Sequence, residues 1–217
     1  MKDIIVFGSG GLGREILFQI KEMNEVSKEY NILGFADDNE SLWGKTLSGY
    51  PVLGGSDYLF SYEKELCVVI AIGKPHIRKL IFDKISKNSN LLFPSIIASN
   101  VICADTAKLG KGCIVGFFTY LSADTEIGDF VLVSNGCNIG HDTVIDSFST
   151  LYPGVHVSGN VHVEKECEIG VGSNIIQGLK IGQRTVIGAG ASVIRDIEGE
   201  CTAVGVPAKI IKRNERN

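Results

Sequence analysis

Residues 97–193 read in sixes: Ile97, Cys103, Leu109, Val115, Leu121, Ile127, Val133, Ile139, Ile145, Leu151, Val157, Val163, Ile169, Ile175, Ile181, Ile187 and Val193. Every one of these positions is apolar, without a slip in register. With 44% of the chain hydrophobic, chance gives such a run about once in a million trials, so this is an internal repeat. Glycine often follows the apolar residue, as at Gly110, Gly116, Gly128, Gly140, Gly170, Gly182 and Gly188. The fifth place of the hexads is mostly small or β-branched, as at Cys113, Thr125, Cys137, Thr143, Val161 and Cys167. A period of six is neither that of a helix nor that of an alternating strand. It fits a short strand plus a turn, and three such sides close into an 18-residue triangular coil, a parallel β-helix. The apolar residue points inward, glycine relieves corners that require positive φ, and stability accumulates from coil to coil.

The 217 residues suffice for one large or two small domains, and the net charge of -4 gives no nucleic-acid or membrane-surface footprint. Apolar runs such as residues 66–72 are too short to span a bilayer. The start Met1-Lys2-Asp3-Ile4 leads straight into a strand rather than a signal peptide, which predicts a cytoplasmic protein. Among the six cysteines, Cys113 and Cys167 share a face three coils apart. At about 4.8 Å per coil that is roughly 14 Å, beyond disulfide reach. They read as reduced thiols filling small core sites.

Ahead of the repeat, Ile4 to Phe7 form a buried strand, Gly8, Gly10 and Gly13 spell G-x-G-x-x-G, and a helix follows to about Asn24. Backbone amides at such a helix start can hold a phosphate. A second strand over residues 32–36 ends at Asp37-Asp38, where an acidic residue typically meets a ribose or base. The glycines and aspartates serve equally well as a tight turn and a solvated one. A third strand over residues 66–72 leads through Gly73-Lys74-Pro75 into a helix over 76–86, with Ile77, Leu80, Ile81, Phe82 and Ile85 as its apolar face. A last short strand covers 91–93. This α/β unit is about half a dinucleotide domain, so a mononucleotide fits better than NAD. Pro94-Ser95 marks the junction, giving domains 1–94 and 95–217.

Within the coil, His141 holds the third place of its hexad, at a corner where side chains point out. Asp142 is adjacent, and Gly159, 18 residues on, stacks one coil away. A lone histidine is usually a surface or structural residue; the neighbouring carboxylate and the glycine corner argue for more. His156 and His162 read as ordinary outward residues and His76 as a solvated one. The tail leaves the register at Ala203 and turns basic at Lys209, Lys212, Arg213 and Arg216.

Together the glycine loop, Asp37-Asp38, Ala71-Ile72-Gly73, the hexads, Gly140-His141-Asp142, Ser158-Gly159-Asn160 and Gly205-Val206-Pro207-Ala208-Lys209 resemble the hexapeptide-repeat sugar O- and N-acyltransferases. That family includes the bacillosamine-pathway acetyltransferase and the sialic acid O-acetyltransferases. The resemblance implies an α/β N-terminal Rossmann-like domain followed by a left-handed parallel β-helix. It implies His141 as the catalytic histidine with Asp142 as its partner. A nucleotide-linked amino sugar would lie against Gly8, Gly10, Gly11, Gly13, Arg14, Asp37, Asp38, Gly73 and Lys74. Acetyl-CoA would lie along the coil between two subunits of a homotrimer, at Val171, Ala189, Gly205, Pro207 and Lys209. No metal is implied. The chain departs from the family at Leu12, where a loop histidine is common, and at Thr150, where many members carry a second histidine.

The implied reaction is acetyl transfer to the amine of a UDP- or dTDP-linked 4-amino-4,6-dideoxy sugar for surface glycan synthesis. His141 is the general base, and the Gly159 amide donates to the oxyanion. The alternatives are O-acetylation of a sialic-acid-type sugar, a three-histidine metalloenzyme on a β-helix, and a non-catalytic nucleotide-binding scaffold. His141, His156 and His162 do not share a column, as three metal ligands would require.

Overall fold

The computed structural model describes residues 1–213; Arg216 of the basic tail lies outside them. The chain divides into two units, Met1–Ser99 and Asn100–Asn217, a few residues past the Pro94-Ser95 junction. Among the described residues no helix is long and apolar enough to cross a membrane.

The first unit is built on β1 (Lys2–Phe7), whose Ile4, Ile5 and Val6 are wholly buried. Then come α1 (Gly11–Val26), β2 (Tyr30–Ala36), β3 (Thr46–Leu47), β4 (Tyr50–Gly54), α2 (Ser56–Phe60), β5 (Leu66–Ile70), α3 (Pro75–Ile85) and β6 (Leu91–Leu92). The sheet order is β3-β4-β2-β1-β5-β6, parallel except for the β3–β4 hairpin. A strand buried on both sides reads as a continuous apolar run, which is why β1 and β5 stand out in the sequence. The hairpin and α2 are too short to carry a period and went unforeseen. The face of α3 also differs from expectation. Ile85 is buried, but Leu80 is 61% exposed, and Arg78 is buried at 1%. The Arg78 guanidinium donates to the carbonyls of Ile72 (2.5 Å) and Gly73 (3.1 Å), which is how a charged side chain is tolerated inside.

The second unit is a left-handed parallel β-helix. Successive coils pair in parallel at an offset of 18 residues on all three faces, for example Ile114↔Leu132, Tyr120↔Asn138 and Glu126↔Val144. The apolar hexad positions from Val115 to Val193 are at most 3% exposed. Cys103, in the first coil, is exposed, since an end coil has a neighbouring coil on one side only. The other five cysteines are buried, and none of the six is in a disulfide. Burial pushes the Cys137 thiol up to about 11 and that of Cys167 to about 12, so neither is a thiolate at neutral pH.

The corners are built differently from the sequence expectation. Left-handed φ falls at the fourth place of every hexad from Gly112 to Gly190, including Phe118, Asp124, Asp142, Phe148 and Asn160. The glycines that follow the apolar residue do not have positive φ; they admit the next coil. A Cβ on Gly140 would stand 2.5 Å from the Gly159 nitrogen, and one on Gly170 2.5 Å from the Ala189 nitrogen. The last coil ends in an antiparallel hairpin, Cys201–Val204 with Lys209–Arg213.

Candidate active site

The corner after the strand Asn138–Ile139 carries Gly140, His141 and Asp142. Neighbouring residues of an extended strand face opposite ways. Asp142 escapes this because its φ is +56°, a conformation that Asp tolerates better than most residues. Its carboxylate Oδ2 thereby reaches His141 Nδ1 at 2.7 Å, with both side chains solvent-facing. The bend thus comes from Asp142 and not from Gly140, whose φ is not positive. A carboxylate at Nδ1 selects the tautomer with hydrogen on that nitrogen and leaves the Nε2 lone pair available as a base.

One coil on, the turn Ser158-Gly159-Asn160-Val161 passes beneath the imidazole. Asn160 N–H donates to the His141 carbonyl at 2.7 Å. A Cβ at position 159 would sit 2.6 Å from both Nε2 and Cε1 of His141, so any other residue would displace the ring. Gly159 is buried, and among the described residues nothing accepts its N–H. Buried backbone donors are nearly always paired. An orphan N–H beneath a basic nitrogen is therefore fit to receive a ligand oxygen, and the structure brings His141, Asp142 and Gly159 together in one place.

The residues expected to meet coenzyme A lie along another corner and at the chain's end. Val171 and Ala189 are both exposed and stack in consecutive coils, with Gly190 N–H donating to the Val171 carbonyl at 2.8 Å. Gly205, with φ +96°, accepts from Ser192 N–H at 3.0 Å, and Pro207 and Lys209 follow it, exposed, in the final hairpin. Thr150, at the place of the family's second histidine, is fully buried.

In the first unit the nucleotide set gathers at the carboxyl ends of β1, β2 and β5. Gly8 has φ +99° and Gly13 packs so closely that a Cβ there would overlap the Gly8 carbonyl oxygen, whereas Gly10 and Gly11 face open space. The helix α1 starts at Gly11 with no side-chain cap and no acidic residue in its first turn. Its free N–H groups and positive dipole end suit an anion. Leu12 is half-buried in this turn, while Arg14, Lys74 and its neighbour His76 are exposed.

The two aspartates turn out to be engaged. Asp37 Oδ2 accepts from the Ser9 amide (2.9 Å) and hydroxyl (2.6 Å), and Oδ1 accepts from Asn39 N–H (3.0 Å). Burial raises the Asp37 carboxyl pKa, but these hydrogen bonds outweigh it and hold the group below the ordinary carboxylate value. Asp38 accepts from Ser56 N–H (2.6 Å) and Oγ (2.7 Å) at the start of α2. Beside them stands Trp43, 45% exposed, its indole N–H donating to the Asp37 carbonyl at 2.7 Å. No motif or spacing marks Trp43 in the sequence; only the fold of the 37–43 loop sets it at this edge.

Elsewhere on the coil stands a further carboxylate–imidazole pair, His162 Nε2 and Asp146 Oδ2 at 3.0 Å, at a histidine the sequence marks only as an ordinary outward residue.

Residues 3–85 match the PglD N-terminal domain family. GDP-perosamine N-acetyltransferase of Escherichia coli O157:H7 is 31% identical over 220 residues, covering 96% of each chain. Among solved structures, a variant of perosamine N-acetyltransferase from Caulobacter crescentus in complex with CoA and GDP-perosamine is 25% identical. It superposes with a TM-score of 0.88 over 97% of each chain. The acetyltransferase domain of PglB from Neisseria gonorrhoeae FA1090 in complex with acetyl coenzyme A is 26% identical, with a TM-score of 0.88 over 97% of this chain and 99% of that one. Likeness of this extent, spanning both units, makes the chain a member of the hexapeptide-repeat sugar acetyltransferase family.

Proposed function

We propose that the protein transfers the acetyl group of acetyl-CoA to the amine of a nucleotide-linked 4-amino-4,6-dideoxy sugar, as a cytoplasmic homotrimer serving surface glycan synthesis. The observation that carries this reading is the orphan Gly159 N–H lying beneath a histidine whose Nδ1 is held by a carboxylate. The uncharged amine attacks the thioester carbonyl while His141 Nε2 takes its proton. The carbonyl oxygen becomes an oxyanion at the Gly159 N–H, a donor typically worth about 3 kcal/mol. Collapse breaks the C–S bond and expels the coenzyme thiolate, which takes the proton from the imidazolium. Asp142 favours that imidazolium and keeps the ring oriented. No protein residue is acylated.

The sugar's diphosphate is assigned to the uncapped start of α1, with Gly10, Gly11 and Arg14. Gly8 and Gly13 shape the loop, and Gly73 and Lys74 border it. Asp37 keeps the loop in place through Ser9, and Asp38 supports it by anchoring α2. Coenzyme A is assigned to Val171, Ala189, Gly205, Pro207 and Lys209. The base of the nucleotide is the open choice: the sequence suggested UDP or dTDP, while the E. coli relative is named for a GDP-linked sugar.

A thiol-release assay with acetyl-CoA against GDP-, UDP- and dTDP-linked 4-amino sugars, with sialic acid included, tests the reading. Turnover with one nucleotide-linked amine supports it, and turnover with sialic acid alone moves the chemistry to a hydroxyl acceptor. Binding has its own readout. Trp43 is the chain's single tryptophan, so its fluorescence reports occupation of that edge by the matching nucleoside diphosphate. An unchanged spectrum at saturating substrate would place the nucleotide elsewhere.

A further inference from the structure

The oxyanion role assigned to Gly159 requires that its N–H point out of the coil, and one buried hydroxyl governs this. In a trans peptide the C=O and N–H point in opposite directions. The Ser158 carbonyl therefore has to face inward if the Gly159 N–H is to face the substrate. It does: Thr143, in the inward fifth place of its hexad and fully buried, donates its hydroxyl to the Ser158 carbonyl at 2.9 Å. Thr143 Oγ1 in turn accepts from Val161 N–H at 3.4 Å. The hydroxyl thus stands between the two ends of the turn that carries Gly159. Ser149 makes the same bridge at Glu164 (3.0 Å) and Cys167 (3.1 Å), whereas at some other corners the ends bond directly, as Ser173 N–H does to Gly170 and Ala191 N–H to Gly188, both at 3.2 Å.

The remaining peptides of this turn are fixed by the backbone. Ser158 N–H donates to Ile175 at 2.9 Å, Asn160 N–H to His141 at 2.7 Å, and the Gly159 carbonyl accepts from Gly178 N–H at 3.1 Å. Among the described residues the Ser158–Gly159 peptide has Thr143 as its one holder. Glycine is demanded at 159 by the imidazole, which leaves no room for a Cβ. Glycine is also the residue whose backbone turns over most freely. The feature that lets the ring approach is thus the feature that would let the amide swing away.

We propose that Thr143 is a positioning residue for acetyl transfer, its hydroxyl locking the Ser158–Gly159 peptide so that the Gly159 N–H is presented to the oxyanion. This rests on the acetyltransferase reading above. The fold itself supplies a graded series for testing it. Val131, Val155 and Val161 fill the same inward slot in other hexads and are at most 1% exposed, so valine packs there. Cys137 and Cys167 fill it too and reach the corresponding carbonyls of Tyr152 and Gly182 at 3.3 and 3.2 Å, as weak donors.

The experiment measures kcat and KM for both substrates in the full chain, for wild type, His141→Ala, Thr143→Val, Thr143→Cys and Thr143→Ser. Thr143→Val is expected to lower kcat about 10- to 100-fold, short of deleting an oxyanion donor outright. Both KM values should stay within about twofold and the pH–rate midpoint unchanged, because binding and the proton acceptor are untouched. Thr143→Ser should restore kcat and Thr143→Cys should fall between; the cysteine and serine variants keep the test alive should valine impair folding. Wild-type kcat in Thr143→Val alongside an inactive His141→Ala overturns the inference and leaves the acetyltransferase reading standing. A loss that serine does not recover also overturns it, since that marks packing rather than the hydroxyl. A wild-type enzyme inert toward every amino sugar removes the reading and the inference together.

Discussion

His141–Asp142 and His162–Asp146 are both imidazole–carboxylate pairs on one β-helix, 2.7 and 3.0 Å long, and their settings differ. The first is made by adjacent residues at a corner and uses Nδ1, so Nε2 faces a glycine whose N–H has no acceptor among the described residues. The second joins residues of successive coils through Nε2 and lies within an ionic cluster. There Lys180 meets Glu164 at 2.7 Å, and the other Glu164 oxygen accepts from Gln183 N–H at 2.8 Å. In the second setting the carboxylate takes Nε2 and the pair ties successive coils together. The first leaves a base and a donor unused side by side. A histidine–aspartate contact is thus weak evidence of catalysis until the unpaired group next to it is found.

The comparison breaks most readily on activity. His141→Ala should lower kcat by about 10²- to 10⁴-fold, the usual worth of a general base. His162→Ala should stay within about twofold of wild type. Steady-state acetyl transfer by the two purified variants checks this, and comparable losses would erase the distinction. Gly159→Ala belongs with the first variant: its methyl group collides with the imidazole, so about a 100-fold loss is expected.

The carboxylates sharpen the contrast at smaller scale. A buried orienting aspartate can be worth roughly 10⁴ in rate. The Asp142 side chain is 59% exposed, so solvent takes over part of its role and Asp142→Asn should cost about 10- to 100-fold. Asp146→Asn should leave kcat unchanged. Equal sensitivity of the two would mean that the coil as a whole, rather than the corner, governs turnover.

How much of this was legible in advance follows from periodicity. The hexads announce the coil because one inward slot recurs and must stay apolar. The left-handed fourth place announces nothing, since Gly, Phe, Asp, Asn, Glu and Arg all occupy it. That is why the sequence does not reveal which residue makes the bend joining His141 to Asp142. Thr143 was visible as an inward small residue, but its acceptor lies 15 positions on and only coiling brings them together. In the α/β unit, G-x-G-x-x-G and the buried strands were readable. The engagement of Asp37 by Ser9, 28 residues away, and the burial of Arg78 were not, because they depend on contacts with no sequence period.

The smallest effect concerns the second pair's neighbourhood and acid stability. The Lys180 ammonium hydrogen-bonds Glu164 and, against a smaller upward push from burial, holds its carboxyl below the ordinary value, helped by Gln183 N–H. A group with a depressed folded-state pKa stabilises the fold above its unfolded pKa, about 4.3 for Glu. That contribution fades as pH falls through the folded value. Glu164→Gln removes this pH-dependent part, so its melting temperature should trail wild type at pH 7 and draw level with it at an acidic pH below the folded value. The gap at pH 7 should be small, because Lys180 is solvent-exposed and salt screens the pair. Thermal melts of both proteins at the two pH values decide it. A constant gap across that range would assign the Glu164 contribution to packing, and would leave the ionic cluster beside His162 without the role in coil-to-coil cohesion that sets it apart from the corner at His141.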